Sequence, residues 1–279
     1  MPELPEVETM RRGILPIEGS KVRQIRRTPC AKKPIQIQPR IDHINRRIRS
    51  QEIISVDRLG KRVVLRTEKN DRLVFEPRMT GLVLIGDPPN REHLRVEIML
   101  EGGPVDRLLF WDRRGLGTVT LFREKEFDEY AYHGNLGPDA LDVSADELRE
   151  RFRLSKQAVK VAMLDQKKVL GIGNLYASEI LHRCRIDPRT RCTRINKKQW
   201  NEIYEVMLDV FAAAIKSEGS TLSDGTYRNA LNDPGGYQNY HLVYDREKQA
   251  CPSCERGKIV RIVQAQRATF YCPKCQKRK

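Results

Sequence analysis

The chain has 279 residues, 39% of them hydrophobic, which is enough apolar material for two or three folded units. No apolar run approaches the roughly 18 residues of a membrane span, and the acidic N-terminus lacks the apolar segment of a signal peptide. A net charge of +15, spread along the chain, indicates a folded protein that faces a polyanion such as nucleic acid. We therefore expect a cytoplasmic, nucleoid-associated protein with no membrane partner.

The first eight residues, MPELPEVE, place an amine beside carboxylates. Proline in second position favours removal of Met1, which leaves the secondary amine of Pro2 at the N-terminus. Such an amine is partly neutral at physiological pH, and its attack on an aldehyde-like carbon gives an iminium. Glu3 stands beside it as a proton donor or acceptor. The alternative is an ordinary helix start, because proline and glutamate are both favoured in a first turn.

Periodicity divides the rest of the chain into a β-rich part and a helical part. Val7, Met10 and Ile14 predict a first helix that ends near Gly13. Short β-like runs then alternate with turns, which predicts an antiparallel sandwich or barrel with this helix packed on it. The clearest runs are 53–56, 62–66, 73–75, 94–98 and 108–111. A lysine at position 61 lies beside one of these runs, and by itself it is ordinary solvated surface.

Beyond residues 133–138 the period becomes helical. Ser155 is a candidate cap for a helix that runs to about Gln166, and Asn196 is a candidate cap for another. Between them, Gly171-Ile172-Gly173 introduces a helix over Asn174–Arg183. Glycines allow close approach of the backbone, and free N–H groups at a helix start attract phosphate. With lysines on the preceding helix, this pattern resembles a helix–two-turn–helix clamp on a DNA backbone. A long polar loop, 217–240, follows and is expected to be functional or mobile.

The C-terminus carries two CxxC pairs that are separated by seventeen residues. Four thiolates at this spacing predict one structural zinc ion per chain, since they leave no open coordination position. Residues 258–271 between the pairs read as a β-hairpin with Arg267 in its second half. The other cysteines are expected to be unpaired thiols: Cys30, Cys184 and Cys192. The predicted zinc ligands are Cys251, Cys254, Cys272 and Cys275.

These motifs, in this order along nearly the whole chain, resemble the formamidopyrimidine-DNA glycosylase family, which includes the endonuclease VIII enzymes. The motifs are the PELPEVE start, Lys61, Met79-Thr80-Gly81, Asn135-Leu136-Gly137-Pro138, Leu164-Asp165-Gln166 through GIGNLYASE, Gly219-Ser220-Thr221-Leu222, and Gln266 to Cys272. PELPE, in place of the PEGPE that is typical of endonuclease VIII, favours the formamidopyrimidine branch.

The resemblance implies an α+β multidomain fold and a bifunctional enzyme. We expect an N-terminal antiparallel β-sandwich with a packed helix over 1–133. A helix–two-turn–helix domain over 134–248 would include a lesion-capping loop at 217–240, and a zinc-ribbon-like hairpin would follow over 249–279. The enzyme would be a monomer and a DNA glycosylase/AP lyase of base excision repair. It would act on double-stranded DNA that contains oxidised purines, such as formamidopyrimidine and 8-oxoguanine, or abasic sites.

The resemblance also implies roles for individual residues. Pro2 would attack C1′ of the damaged nucleoside, and Glu3 would supply the proton that opens the sugar. Lys61 would help the β-elimination, and Arg267 would hold the phosphate through δ-elimination. The damaged base would be flipped out beneath the 217–240 loop while Met79 fills the vacated space. The further DNA contacts that it implies are Arg91, His93, Arg114, Leu116, Lys156, Lys160, Gly173, Asn174 and Tyr244.

The chain departs from the family pattern where the DNA would be probed. The usual D-P-R-R-F-G loop reads Asp112 to Gly117 with Gly115 for the second arginine and Leu116 for the aromatic residue. Glu76 and Arg91 stand where histidines are expected, and Asp245 replaces a common glycine. We therefore expect excision of 8-oxoguanine with weaker discrimination between opposite cytosine and opposite adenine than a family member with the full loop shows. Restoring the loop with Gly115→Arg and Leu116→Phe is expected to sharpen it; Arg78 and Arg91 are the next candidates for this reading.

Two other functions fit parts of the pattern. The altered loop also suits an endonuclease VIII-like enzyme for oxidised pyrimidines or hydantoins. A non-catalytic binder of damaged DNA could use the same clamp, but binding alone requires none of Pro2, Glu3 and Lys61.

Overall fold

The computed structural model describes residues 2–134 and 136–277. Met1, whose removal the sequence predicts, and Asn135 of the Asn-Leu-Gly-Pro motif lie outside the described residues. The chain forms two compact units, each made of two stretches of sequence. The first comprises Met1–Gly134 with Ala214–Gln238, and the second comprises Asn135–Ala213 with Asn239–Lys279.

The first unit is a β-sandwich, as the sequence predicts. Its strands are β1 Lys21–Arg27, β2 Gln36–Gln38, β3 Ile53–Leu59, β4 Arg62–Thr67, β5 Arg72–Glu76, β6 Gly81–Leu84, β7 Leu94–Glu101, β8 Arg107–Asp112 and β9 Thr118–Phe122. They form a four-stranded sheet of order β1-β7-β8-β6 and a five-stranded sheet of order β2-β9-β5-β4-β3. All neighbours are antiparallel except β2 and β9. Apolar residues of both sheets meet in one core, for example Val22 and Phe75.

Three helices flank this sandwich. They are α1 Leu4–Gly13, α2 Ile41–Ile48 and α3 Glu124–Asp128. Val7 and Met10 bury one side of α1 in the core, which is the packing expected from their spacing. Gly13 ends this helix against the chain near Ala230, where an added Cβ would lie 2.5 Å from the Ala230 Cβ. A short 3-10 helix, Leu15–Ile17, and a π-helical turn, Glu129–His133, follow α1 and α3.

The second unit contains most of the remaining helices and a zinc-type hairpin. The elements are α4 Ala145–Phe152, α5 Val159–Met163, α6 Asn174–Arg183, α7 Lys197–Lys216, β10 Val260–Gln264 and β11 Arg267–Tyr271, with a short 3-10 helix at Cys192–Arg194. A further 3-10 helix, Tyr237–Tyr240, has its first two residues in the first unit. The last three residues of α7 are grouped with the first unit. The predicted helix over Asn174–Arg183 is confirmed, and Asn196 caps α7 by accepting from the Gln199 N–H at 2.9 Å.

The helix that was predicted to start at Ser155 is wrong in its extent. It begins at Val159 and ends at Met163. The residues before it are extended, because they pair with a distant segment: Gln157 O accepts from Cys192 N at 3.0 Å, and Val159 N donates to Thr190 O at 2.7 Å. These tertiary hydrogen bonds override the local capping preference of Ser155.

Most of the 217–240 loop is grouped with the β-sandwich. Residues 217–238 of this loop belong to the first unit, whereas the sequence interpretation included the whole loop in the helical domain. The division into three domains at residues 133 and 248 stays a prediction. Across the described ranges, no helix has the length and apolar character that crossing a bilayer requires.

Candidate functional site

The N-terminal segment is held inside the first unit. Pro2 is buried and Glu3 is 3% exposed. Glu6, which is also buried, accepts from Glu3 N through Oε2 at 2.9 Å and from Ser220 N through Oε1 at 2.9 Å. One carboxylate therefore joins the predicted nucleophile's segment to the 217–240 loop. Sequence reasoning missed Glu6, although an acidic residue three positions after a helix cap is a recognisable pattern.

The same loop is fixed by hydrogen bonds from its own side chains. Thr221 Oγ1 donates to Tyr227 O at 2.7 Å and accepts from Gly235 N at 2.8 Å. The buried Tyr227 hydroxyl donates to Glu218 O at 3.0 Å. Burial, with the nearby charge of Glu6, raises the pKa of Tyr227 well above its ordinary value, so this phenol stays a neutral donor. These hydrogen bonds give the loop a defined conformation. The functional role that its polar sequence indicates stays a prediction.

Lys61 occupies the two-residue turn between β3 and β4. Leu59 pairs with Arg62 across this turn, and Gly60 adopts the positive φ of 58° that it requires. Arg58 Nη1 donates to Gly60 O at 2.9 Å, while its Nε lies 3.1 Å from Glu8 Oε2 on α1. Arg58 therefore links the turn that carries Lys61 to the helix that follows Pro2 and Glu3.

Glu8 is the centre of this link. Burial alone would raise the pKa of Glu8, but hydrogen bonds from Arg11 and Arg12 and the charges of Arg11 and Arg58 bring it below its ordinary value. The carboxylate is thus ionised at neutral pH and holds Arg58 in place. A buried amine segment, a carboxylate and a lysine on tied elements have the chemical equipment for imine formation and proton transfer.

The structure brings together the two predicted probes of the DNA stack. Met79, 38% exposed, precedes Thr80, whose hydroxyl donates to the carboxylate of the buried Asp112. Arg114 N donates to Thr80 Oγ1 at 3.0 Å, and Gly117 N donates to Asp112 Oδ2 at 2.7 Å. We call Arg113–Gly117 the wedge loop. Its Arg114 is exposed and its Leu116 is half-buried, so both are available next to Met79.

The backbone of the wedge loop argues against the expectation that Gly115→Arg restores the family loop. Gly115 has a φ of 62°, and an added Cβ would lie 2.5 Å from the carbonyl oxygen of Lys33. An arginine here is strained by the left-handed backbone, and the contact with the Lys33 carbonyl requires the loop to shift. Gly115→Arg therefore requires the loop to change its conformation at this position.

Two predicted DNA contacts, Arg91 and His93, lie just before β7. Arg91 is exposed. His93 is mostly covered: its ring stacks edge-on against Trp111 at 5.5 Å, and its carbonyl accepts from Asp112 N at 2.9 Å. Arg91 is thus free to reach a phosphate, whereas His93 first of all supports the start of the wedge loop.

In the second unit, Lys160 differs from its predicted role. Lys156 is exposed, but Lys160 is 1% exposed. Its Nζ donates to Asn174 Oδ1 at 2.6 Å, Thr269 Oγ1 at 2.7 Å and Ala268 O at 3.3 Å. A buried ammonium with three acceptors does not contact a DNA backbone directly. Lys160 instead orients Asn174, whose Nδ2 also donates to Ala268 O at 2.9 Å.

The start of α6 lies at Gly173 and Asn174, as the sequence predicts, and phosphate binding there stays a prediction. Gly173 is its N-cap residue and is buried, and Asn174 is half-exposed. Gln166 shapes the turn before it, because its side chain accepts from Gly171 N at 3.0 Å and donates to Ile172 O at 3.0 Å. In the sequence, Gln166 stands out only as a member of the motif that begins at Leu164.

Arg267 lies at the tip of the C-terminal hairpin. Ala265 and Gln266 form the two-residue turn, both with positive φ, and Gln264 pairs with the exposed Arg267. The ring of Tyr244 packs on Phe270 at 5.2 Å, and Tyr244 N donates to Glu179 Oε1 at 2.9 Å. Tyr244 therefore anchors the hairpin, and its half-exposed side chain leaves a DNA contact as a prediction.

The four C-terminal cysteines form a metal-binding cluster. Their sulfurs all lie within 4.8 Å of one another. The Cys251–Cys275 and Cys254–Cys272 sulfurs are 3.6 and 3.8 Å apart, close to the ~3.8 Å between thiolates around a tetrahedral zinc ion. This donor set fits one structural zinc ion. None of the seven cysteines, all within the described ranges, forms a disulfide, as predicted for Cys30, Cys184 and Cys192.

Three family models match successive parts of the chain. The formamidopyrimidine-DNA glycosylase N-terminal domain matches residues 1–119, and the formamidopyrimidine-DNA glycosylase H2TH domain matches residues 136–226. A zinc finger found in FPG and IleRS matches residues 248–278.

Curated relatives and solved structures agree with these matches. The formamidopyrimidine-DNA glycosylase of Caulobacter vibrioides is 34% identical over 99% of this chain and its own full length. That of Thermus thermophilus is 35% identical over 99% of this chain and 98% of its own length.

Among solved structures, the MutM (Fpg) protein of Thermus thermophilus has a TM-score of 0.86 at 33% identity and covers 100% of both chains. A MutM complex with DNA that contains carbocyclic 8-oxo-G and a Lactococcus lactis Fpg complex with abasic-site DNA each have a TM-score of 0.86 at 27% identity. Each covers 99% of this chain and 100% of the other.

Proposed function

Because this chain belongs to the formamidopyrimidine-DNA glycosylase family, we propose that it excises oxidised purines from double-stranded DNA and then cleaves the abasic site. The substrates are formamidopyrimidine and 8-oxoguanine lesions. The observation that carries this proposal is the Glu6 carboxylate, which joins the Pro2–Glu3 segment to Ser220 of the 217–240 loop. The similar solved structures hold 8-oxo-G and abasic-site DNA, which supports the same class of ligand here.

The chemistry begins at the amine of Pro2, once Met1 is removed. Its lone pair attacks C1′ of the flipped nucleoside, the bond from C1′ to the base breaks, and the base leaves with the proton that the amine nitrogen gives up. Glu3 gives a proton to the sugar ring oxygen, so that the ring opens to an iminium. Lys61 assists β-elimination, in which the Glu3 carboxylate takes the C2′ proton and the 3′ phosphate leaves. Arg267 holds the phosphate through δ-elimination, in which the C4′ proton passes to water and the 5′ phosphate leaves. Water finally hydrolyses the iminium and releases Pro2.

The other predicted residues bind the DNA around the lesion. Met79, Arg114 and Leu116 enter the stack that the damaged base has left. Lys156, Asn174, the Gly173 backbone, Arg91, His93 and Tyr244 contact its strands. Lys160 acts on the DNA only through Asn174, because its ammonium is internally bound. The zinc hairpin presents Arg267. We further propose that the enzyme is a monomer and acts at the nucleoid in the cytoplasm.

Borohydride trapping tests the covalent step. Reduction during turnover of 8-oxoguanine DNA should yield one protein–DNA adduct whose modified peptide begins at Pro2. A variant with a short N-terminal extension that is not processed should bind the DNA but trap none of it. An adduct on Lys61, with Met1 still attached, would contradict the N-terminal mechanism.

A second substrate class is favoured by the wedge loop. Gly115 and Leu116 remove the charge and the ring that the family pattern places there, and this suits oxidised pyrimidines or hydantoins. A trapping panel over formamidopyrimidine, 8-oxoguanine, an oxidised pyrimidine and a hydantoin, each opposite every base, decides between the classes. Faster trapping on pyrimidine lesions than on both purine lesions would replace the first proposal by the second.

A further inference from the structure

A buried arginine lies behind the wedge loop. Arg95 is 2% exposed and lies on β7, where the register with β8 shifts between Leu94 and Val96. Such a bulge changes the direction of the side chains at that point. The side chain of Arg95 meets the backbone where β8 passes into the wedge loop. An arginine with this degree of burial is rare unless its donors are bound.

The donors of Arg95 are bound by two separate segments. Nε donates at 2.8 Å to the carbonyl oxygen of Asp112, the last residue before the wedge loop. Nη1 donates to Lys33 O at 3.0 Å and to Cys30 Sγ at 2.8 Å, both in the segment that follows β1. Among the described residues, Nη2 is buried without a hydrogen-bond partner. It faces the wedge loop, since a Cβ on Gly115 would lie 3.6 Å from it.

The segment after β1 is in turn fixed to β7. Thr28 donates through its N–H to Arg95 O at 3.2 Å and through its hydroxyl to Leu94 O. The Lys33 carbonyl that Arg95 holds is the group that lies 2.5 Å from an added Cβ on Gly115. Arg95 thus places both Asp112, the residue before the wedge loop, and the surface against which the loop turns at Gly115.

We infer that Arg95 is a positioning residue that determines opposite-base specificity by fixing the wedge loop. It touches neither DNA nor the reacting atoms, and it acts through Asp112 and Lys33 on Arg114. Arg114 carries the donors that suit the edge of the orphaned base. The N–H donors of a guanidinium have fixed positions relative to one another. A small rotation of the wedge loop therefore moves the donors of Arg114 away from the edge of the orphaned base. This inference rests on the proposed function, since it needs an enzyme that removes a base opposite a partner.

The experiment compares Arg95→Met and Arg95→Lys with the wild type and with Arg23→Met. Arg23 is an exposed arginine on β1 and serves as the matched control. Single-turnover excision of 8-oxoguanine opposite cytosine and opposite adenine gives the specificity ratio, and trapping on a pre-formed abasic site gives the lyase chemistry. Arg95→Met should change the ratio by about fivefold or more, the scale of one lost hydrogen bond, with abasic trapping within about twofold. Arg95→Lys should recover part of it.

Gly115→Ala provides a second route if Arg95→Met does not fold. Its added Cβ presses on the Lys33 carbonyl from the wedge loop and should shift the ratio in the same direction. An unchanged ratio in both variants, or an equal fall in excision and abasic trapping, would overturn the inference. A wild type that neither excises 8-oxoguanine nor traps would instead overturn the proposed function, and the two failures are therefore distinct.

Discussion

Arg113 Nη2 lies 3.8 Å from Asp224 Oδ2, and this ion pair joins the wedge loop to the 217–240 loop. Arg113 stands where the family pattern has proline, so the pair accompanies the altered loop. Burial alone would raise the pKa of Asp224, but hydrogen bonds from Thr226 and the charge of Arg113 bring it below its ordinary value. Because the pKa is lowered, the carboxylate is ionised and the pair persists at neutral pH.

The pair should couple the two loops in catalysis. Exposed ion pairs contribute about 0–1 kcal/mol, so Arg113→Gln and Asp224→Asn should each slow excision by up to about fivefold. The double variant should be no slower than the slower single variant, because both remove one interaction. Single-turnover rates at low salt measure this. Arg107→Gln, which breaks the exposed Arg107–Asp87 pair, is the control. Additive effects of the two substitutions would show that the loops act independently.

Arg58 should affect the lyase step more than binding. Its hydrogen bond to Gly60 O fixes the turn of Lys61, and a hydrogen bond from a charged donor is worth about 1.5–3 kcal/mol. We expect Arg58→Met to slow β-elimination on a pre-formed abasic site by about tenfold or more, within that range. The DNA Kd should stay within about twofold. Arg66→Met, on β4 and bonded to Ser55, is the matched control, and a comparable loss there would refute the link.

Loss of zinc should weaken DNA binding through two residues at once. Cys272→Ser removes a ligand, and it should release the hairpin that presents Arg267 and that holds Asn174 at Ala268 O. We expect one zinc ion in the wild type, none retained in the variant, and a DNA Kd raised by about tenfold or more, equivalent to ~1.4 kcal/mol. The N-terminal unit should keep its cooperative melting. Cys184→Ala should retain zinc. Equal affinity with and without metal would disprove the role.

Thiol reactivity should single out Cys30. Burial raises the pKa of Cys184 to about 12 and that of Cys192 to about 11. At pH 8 their thiolate fractions are therefore on the order of 10⁻⁴ and 10⁻³, and the thiols are also inaccessible. Iodoacetamide on the zinc-loaded protein should add one group, at Cys30, as peptide mass spectrometry can show. The unfolded, metal-free chain should take up seven groups, one for each cysteine. Early labelling of Cys184 would mean that its helix opens readily.

The features predicted best from sequence have local causes. The zinc cluster follows from the spacing of Cys251 to Cys275, and α6 follows from Gly173 and the apolar spacing behind it. Two helices were overlooked although their patterns were present. Ser144 and Glu147 form a reciprocal cap at the start of α4, and Ile44 and Ile48 give α2 a buried stripe.

The features that sequence could not supply depend on distant partners. Lys160 reads as surface, but it is bonded to Ala268 and Thr269, more than a hundred residues away. In the sequence, Gly115 indicates a flexible loop. In the structure, the glycine is needed because the Lys33 carbonyl oxygen lies where a Cβ would be placed. Arg95 reads as a polar residue on a strand face, and only the bulge turns it inward. In each case the packing of the fold brings the partner close. A local sequence pattern does not specify that packing.

Lys160 and Asn174 both donate to Ala268 O, and Lys160 also donates to the Thr269 hydroxyl. These hydrogen bonds limit which residues can change in relatives and which hairpins can be exchanged between proteins. A lysine at 160 has a buried charge that depends on an oxygen of β11, so losing the hydroxyl at 269 leaves that charge under-solvated. Positions 160, 174 and 269 should therefore covary among relatives. A hairpin transplanted from another protein should function here only if it brings a hydroxyl at the position of Thr269, however well its cysteines match.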